Sequence, residues 1–177
     1  MTRPALSIVM PVLDEAGQIE ATLAALAPLR RRGVELIVVD GGSQDGTVAL
    51  PRAEADAVLD APRGRARQMN AGAAAARGEV LLFLHADTIL PTEADRHVLR
   101  AVAGGRDWGR FDVRIAGRHP MLRVVAMLMN WRSRLTGIAT GDQATSVGRG
   151  LFQRIAGFPE PPPGEKIELL RRLRRVS

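Results

Sequence analysis

The chain has 177 residues, 46% hydrophobic and 25% charged, which suits one globular domain with its own core and excludes a disordered or fibrous chain. It contains no cysteine, which excludes disulfides and thiolate metal sites and fits a reducing compartment. The net charge is +6 and Lys166 is the only lysine, so nearly all the basic charge is arginine, whose planar fork matches paired phosphate oxygens.

Nucleic acid, an anionic membrane surface and phosphorylated small molecules all suit that charge. The N-terminal "MTRPALSIVMPVLDEAG" reaches Asp14-Glu15 too early for a signal peptide. No apolar run approaches the roughly 20 residues of a spanning helix, so a cytoplasmic protein is expected. "ALSIVMPVL" (5–13) reads as a strand ending at Asp14-Glu15. Ile19, Leu23 and Leu26 recur at helical spacing, and Pro28 is expected to close that helix near "RRRG" (30–33). "VELIVVD" (34–40) is a second strand that also ends in an acid, followed by the glycine-rich loop "GGSQDGT" and a short helix from about Thr47.

"AVLD" (57–60) is a brief third strand, and "RGRARQMNAGAAAARG" (63–78) an alanine-rich helix. "EVLLFLHAD" is the fourth strand, an apolar run that stops at His85-Ala86-Asp87. Phe111, Val113 and Ile115 alternate with Asp112 and Arg114, the pattern of a half-exposed strand. Met121 to Leu135 reads as a helix. Its methionines and Trp131, with Trp108, are assigned to the core, although the same helix leaves a peripheral membrane contact open. "GDQATSVG" (141–148) is extended, "GLFQRIAGF" a short helix, "PEPPPG" a rigid loop and "EKIELLRRLRR" an amphipathic helix with a basic outer face.

Alternating β and α units with apolar strands indicate an α/β fold, a mainly parallel sheet with helices on both faces. Ligands of such sheets bind beyond the carboxyl ends of the strands, where Asp14-Glu15, Asp40 and Asp87 fall. Asp40 is equally a turn residue or a helix cap. Functionally, its carboxylate suits a base N–H, and Gly41, Gly42 and Ser43 let the backbone approach a ligand. Asp87 ends a buried run, so its carboxylate either faces the ligand edge or is desolvated. A hard cation such as Mg2+ takes carboxylate, water and phosphate oxygens, while His85 would suit Mn2+ better. Arg67 and Asn70 share one side of their helix, with Arg63 one turn earlier. The loop "DGGSQDG" lacks the dinucleotide spacing, and no phosphate-binding P-loop occurs. Nor is there a nucleic-acid motif, since the arginines are spread rather than interleaved with aromatics.

"SIVMPVLDEAGQIEATLAAL", "ELIVVDGGSQDGT", "GRARQMNAGAAAARGEVLLFLHADT" and "GDQATSVGRGLFQRIAGFPE" resemble, in order, the motifs of family 2 glycosyltransferases. Its "HAD" and "GDQ" variants are similar to a bacterial subfamily of that family. The resemblance implies a GT-A fold in one domain, with a nucleotide-binding half to about residue 90 and an acceptor-binding half after it. It implies that Pro11, Leu13 and Glu15 line the nucleoside pocket; Ser43 and Asn70 are further nucleotide-binding candidates. Asp40 would hold the base, and Arg67 would reach the base or phosphates. Asp87, with His85 before it, would hold Mg2+ or Mn2+ and the diphosphate.

The implied reaction is inverting transfer of a sugar from a nucleotide-diphosphate sugar, UDP favoured, to an unknown hydroxyl acceptor. In the family the general base comes from an acidic pair at the start of the last helix, where this chain has Glu165 followed by Lys166. A protonated lysine is no base. Glu165 or Asp142 is therefore the candidate, and the alternative is a non-catalytic nucleotide-sugar binding module. Oligomeric state is left open, a homo-oligomer included.

Overall fold

A computed structural model of the chain describes residues 3–115, 117, 119–136, 143–159 and 165–176, without the side chains of 120, 132, 134–136, 165–167 and 174–176. Six strands form one sheet: β1 Leu6–Val12, β2 Glu35–Asp40, β3 Ala57–Asp60, β4 Val80–Phe83, β5 Trp108–Arg110 and β6 Thr145–Gly148. Their order is β3-β2-β1-β4-β6-β5. The first four strands run parallel; β6 is antiparallel to β4 and β5 to β6. Every residue of β1, β2 and β4 is buried, as expected of strands covered on both faces.

The helices are α1 Ala16–Arg31, α2 Pro51–Glu54, α3 Arg65–Ala75, α4 Ala94–Ala103, α5 Pro120–Thr136, α6 Arg149–Arg154 and α7 Glu165–Val176. Because successive strand residues point to opposite faces, the sheet separates two cores. Leu6, Ile8, Met10 and Val12 of β1 pack with Ile19, Leu23, Leu26 and Leu29 of α1 and with Ala94 and Val98 of α4. Val9, Ile37, Val39, Leu81 and Phe83 face the other way, toward Met69 and Ala73 of α3 and Leu169, Leu170 and Leu173 of α7. Three rings close that second core, with the centroid of Phe83 5.1 Å from Phe152 and 4.8 Å from Phe158. Gly72 lets α3 lie close on the sheet, since a Cβ there would come within 2.4 Å of Val9 Cγ1.

Several sequence expectations need correction. α1 ends at Arg31, within the "RRRG" where its end was expected, but Pro28 lies inside the helix rather than at its end. The one amide bond that proline removes is outweighed by fully buried Leu29 on the far side. The second helix begins at Pro51 rather than near Thr47, and α3 is shorter at both ends than 63–78. The fourth strand's ladder stops at Phe83, so His85 and Asp87 sit on the loop beyond it. Residues 94–103 form a helix that the sequence reading did not place.

The strand expected at 111–115 lies at 108–110 instead. Beyond it Phe111 still donates its N–H to Ala144, and then the Asn130 side chain takes over from the sheet. Its Oδ1 accepts the Val113 N–H at 2.8 Å and its Nδ2 donates to the Val113 carbonyl at 2.9 Å. Trp131, Met121 and Met127 are not core: all three are more than half exposed. Trp108 is partly buried against the second core.

Candidate active site

β2, β1 and β4 are neighbours in the sheet, so the loops leaving their carboxyl ends meet. The loop after β2 is folded by Asp40. Its carboxylate accepts the N–H groups of Gly42 and Ser43, both at 3.0 Å, and the Ser43 hydroxyl. Gly42 takes φ of 95°, which suits glycine and lets the chain turn so tightly. The same loop then caps α1 from outside. Asp14 donates its N–H to Ser43 Oγ at 2.9 Å, Glu15 to Thr47 Oγ1 at 2.8 Å and Ala16 to the Asp45 carboxylate at 3.0 Å. Helix-start amides lack partners within the helix, and Glu15 itself supplies no side-chain cap. The Thr47 hydroxyl holds the Asp45 carboxyl below its usual range.

The loop after β4 is fixed as firmly. Leu84 donates its N–H to Val9, and Thr88 donates to the His85 carbonyl to close a turn. Buried Thr22 of α1 donates its hydroxyl to the Ala86 carbonyl. Between the two loops, Gln68 of α3 donates its amide to the carbonyls of Val12 and Val39, joining the ends of β1 and β2. Each anchor is a side chain satisfying backbone polar groups where the ladders run out.

These loops enclose a cavity of about 290 Å³. Pro11, Val12, Leu13 and Glu15 form one wall, Arg63, Gly64, Arg65 and Gln68 another, and His85 and Asp87 a third. Burial raises the Glu15 pKa above its usual value, and the charge of Asp87 raises it further; Arg65 opposes and Asp45 adds to the rise. Half-buried Glu15 and exposed Asp87 thus share the pocket with two exposed arginines. That arrangement suits a cation at the acids and an anion at the arginines.

Of the residues singled out from sequence, Pro11, Leu13, Glu15, Arg63, His85 and Asp87 converge on the cavity. Asp40 and Ser43 do not line it; they fold the loop beside it. Arg67 is exposed on α3, and Asn70 joins α3 to the chain after α6. The Asn70 amide donates to the Phe158 carbonyl at 2.9 Å and accepts the Phe158 N–H at 2.9 Å. Asp142 and the side chains of Glu165 and Lys166 lie outside what the structure describes. Sequence reasoning missed Arg65 and Gln68. Gly64, with φ of 139°, starts α3 there, so Arg63 precedes the helix and Arg65 opens it.

Among the described residues no three His, Asp or Glu side chains form a group that could hold a metal ion. His85, Asp87 and Glu15 on the cavity wall are the nearest approach to such a set, and a hard cation held there would take its remaining ligands from water and phosphate oxygens. The model of glycosyl transferase family 2 matches residues 7–156. The chain belongs to this family.

A PGL/p-HBAD biosynthesis glycosyltransferase of Mycobacterium bovis is 36% identical over 102 residues, which cover 54% of this chain and 40% of the relative. A mannosyltransferase from Pyrobaculum calidifontis, solved with GDP-Man and Mn2+, superposes with a TM-score of 0.74 at 24% identity, covering 98% of this chain and 52% of that one. Glucosyl-3-phosphoglycerate synthase from Mycobacterium tuberculosis, solved with UDP, gives 0.71 at 24% identity, covering 98% and 66%. The family 2 chain described here thus has the GT-A fold and spans about half the length of the Pyrobaculum protein.

Proposed function

We propose that this family 2 chain transfers a sugar from a nucleotide-diphosphate sugar, UDP favoured, to a hydroxyl acceptor with inversion at the anomeric carbon. The observation that carries the reading is the cavity in which Glu15, His85 and Asp87 face Arg63 and Arg65. Arginines there take the charge of a diphosphate, and Pro11 and Leu13 provide apolar surface for a nucleoside. Asp40 and Ser43 act by holding the loop that caps α1. The half up to about residue 90 binds donor, and the rest, from α4 onward, receives the acceptor.

The acceptor oxygen attacks the anomeric carbon as the bond to the diphosphate breaks, so negative charge grows on the leaving group. Arg63 and Arg65 stabilise that charge most when it is greatest, which is where catalytic advantage lies. A divalent ion, Mg2+ or Mn2+, supplies further neutralisation when bound with the diphosphate at Asp87 and His85. Glu165 at the head of α7 takes the acceptor proton, with Asp142 the other candidate base. Lys166 beside Glu165 favours a second reading, a module that binds donor without transferring it.

Calorimetric titration of UDP and GDP, with and without Mn2+, into wild type and Asp87→Ala tests the donor site. Metal-dependent binding of one nucleotide is expected, weakened at least about 100-fold in the variant, or roughly 2.7 kcal/mol. The ion alone should bind weakly, because the protein supplies only part of its coordination. Failure of both nucleotides to bind would overturn the reading. Binding without release of nucleotide diphosphate in any acceptor mixture would favour the binding module.

A further inference from the structure

Helix α5 is inside out by the standard of a surface helix. Its inward face carries Ala126, Asn130 and Ser133. Asn130 holds Val113, Ser133 donates its hydroxyl to Gln143 at 3.0 Å, and Gln143 donates back to Asn130 at 3.2 Å. Its outward face is apolar: Met121, Val124, Met127, Leu128 and Trp131 are 44–62% exposed. Steps of three and four residues place these five on one side of the helix. A second feature has the opposite character. From Val113 to Gly141 the sequence has no Asp or Glu but five arginines, Arg114, Arg118, Arg123, Arg132 and Arg134. Arg114 and Arg123 are exposed and line, with α5, an open cavity of about 980 Å³.

We propose that the outward face of α5 docks on an anionic lipid bilayer. Apolar side chains enter the boundary between headgroups and acyl chains, Trp131 sits at the headgroup level, and Arg114 and Arg123 meet lipid phosphates. Charge decides between occupants. A second copy of this chain would bring the same arginine-rich, acid-free segment against itself in a symmetric contact, and like charges there repel. An anionic surface attracts Arg114 and Arg123, at about five-fold in affinity for each arginine near it. The inference stands apart from the proposed transfer reaction, since a donor-binding module would carry the same surface.

The test is flotation of the full chain with vesicles of phosphatidylcholine alone or with about a third phosphatidylglycerol. Binding to the anionic vesicles only, weakened by salt, is expected. Met127→Ser with Leu128→Ser should abolish it, and Arg114→Gln with Arg123→Gln should weaken it about ten-fold or more. Brominated lipids should quench the fluorescence of the wild type and lose most of that effect in Trp131→Phe, a readout that needs no destabilised variant. Equal binding of the serine variant would overturn the proposal. So would concentration-dependent dimerisation without vesicle binding, or no association of either kind. UDP titration of the same samples keeps the two readings apart, because loss of nucleotide binding leaves the vesicle result unaffected.

Discussion

The strand-end loops around the cavity and helix α5 use polar side chains in opposite ways. Around the cavity, Asp40, Thr22 and Gln68 point inward to satisfy backbone groups, and the apolar residues of the strands lie beneath them, out of water. In α5, Asn130 and Ser133 also point inward, but the apolar residues face outward. The first arrangement makes a rigid, polar-lined hollow on a closed core. The second leaves a face whose apolar area contributes little to folding and gains only when something covers it. Apolar substitutions in the two regions should therefore have very different costs.

The largest effect on stability is expected at the sheet. Leu82→Ala removes a fully buried side chain from the centre of β4, in contact with the core under α1. The loss should be about 2–5 kcal/mol, read from urea midpoints at unchanged slope. A loss below about 1 kcal/mol would mean that the centre of the sheet is loosely packed, and the contrast with α5 would fail.

The same contrast explains what was legible in the sequence. β1, β2 and β4 were plain because a strand buried on both faces must be continuously apolar. Their acids marked the ligand edge because a carboxylate there needs either water or a ligand. That logic placed Glu15, His85 and Asp87 at one edge of the sheet, and the structure brings all three to one cavity. Arg65 and Gln68 were not found, since their role depends on how Gly64 aims the start of α3. Helix α5 was placed well in sequence but turned the wrong way. Periodicity reports that one face is apolar, not what that face meets. The deciding signal was present in Asn130 and Ser133, whose spacing puts them opposite Leu128 and Trp131. The strand misplaced at 111–115 shares this cause, for an Asn130 side chain imitates a neighbouring strand and leaves the alternation intact.

A smaller effect is expected where α1 meets α4. Arg32 grips Asp95 with both Nε and Nη2 at 2.7 Å, and Asp95 is 4% exposed. The hydrogen bond from Arg32 holds the Asp95 carboxyl below its usual range. Its contribution is therefore present above the ordinary aspartate pKa near 4 and lost as pH falls through the lower native value. Asp95→Asn should cost about 1–2 kcal/mol at pH 7, with the difference from wild type shrinking in acid. A difference independent of pH would show that the ion pair is not its source.

Glu15→Gln should work in the other direction. The native pKa of Glu15 is raised, chiefly by burial and next by Asp87. Its charge therefore costs stability above the raised native value, and the cost disappears as pH falls below the unfolded value near 4.5. The variant should be slightly more stable than wild type at pH 7, by well under 1 kcal/mol for a half-exposed group, and equal to it at low pH. It should also bind the nucleotide–metal pair less tightly. A variant less stable at neutral pH would mean that Glu15 serves the fold rather than the site.

The smallest effect belongs to α5, and it is the sharpest test of the comparison. Leu128 is 52% exposed on the outward face. If that face meets only water in the free protein, Leu128→Ser changes stability within about 0.5 kcal/mol, against several for Leu82→Ala. Chemical denaturation in dilute solution, without lipid, isolates this term. A cost above about 1.5 kcal/mol would show that Leu128 is covered even there, by another part of the molecule or by a second copy. A neutral result combined with lost vesicle binding would separate folding from docking in one residue. The helix would then owe its place in the fold to Asn130, Ser133 and Gln143, and its apolar composition to what lies outside.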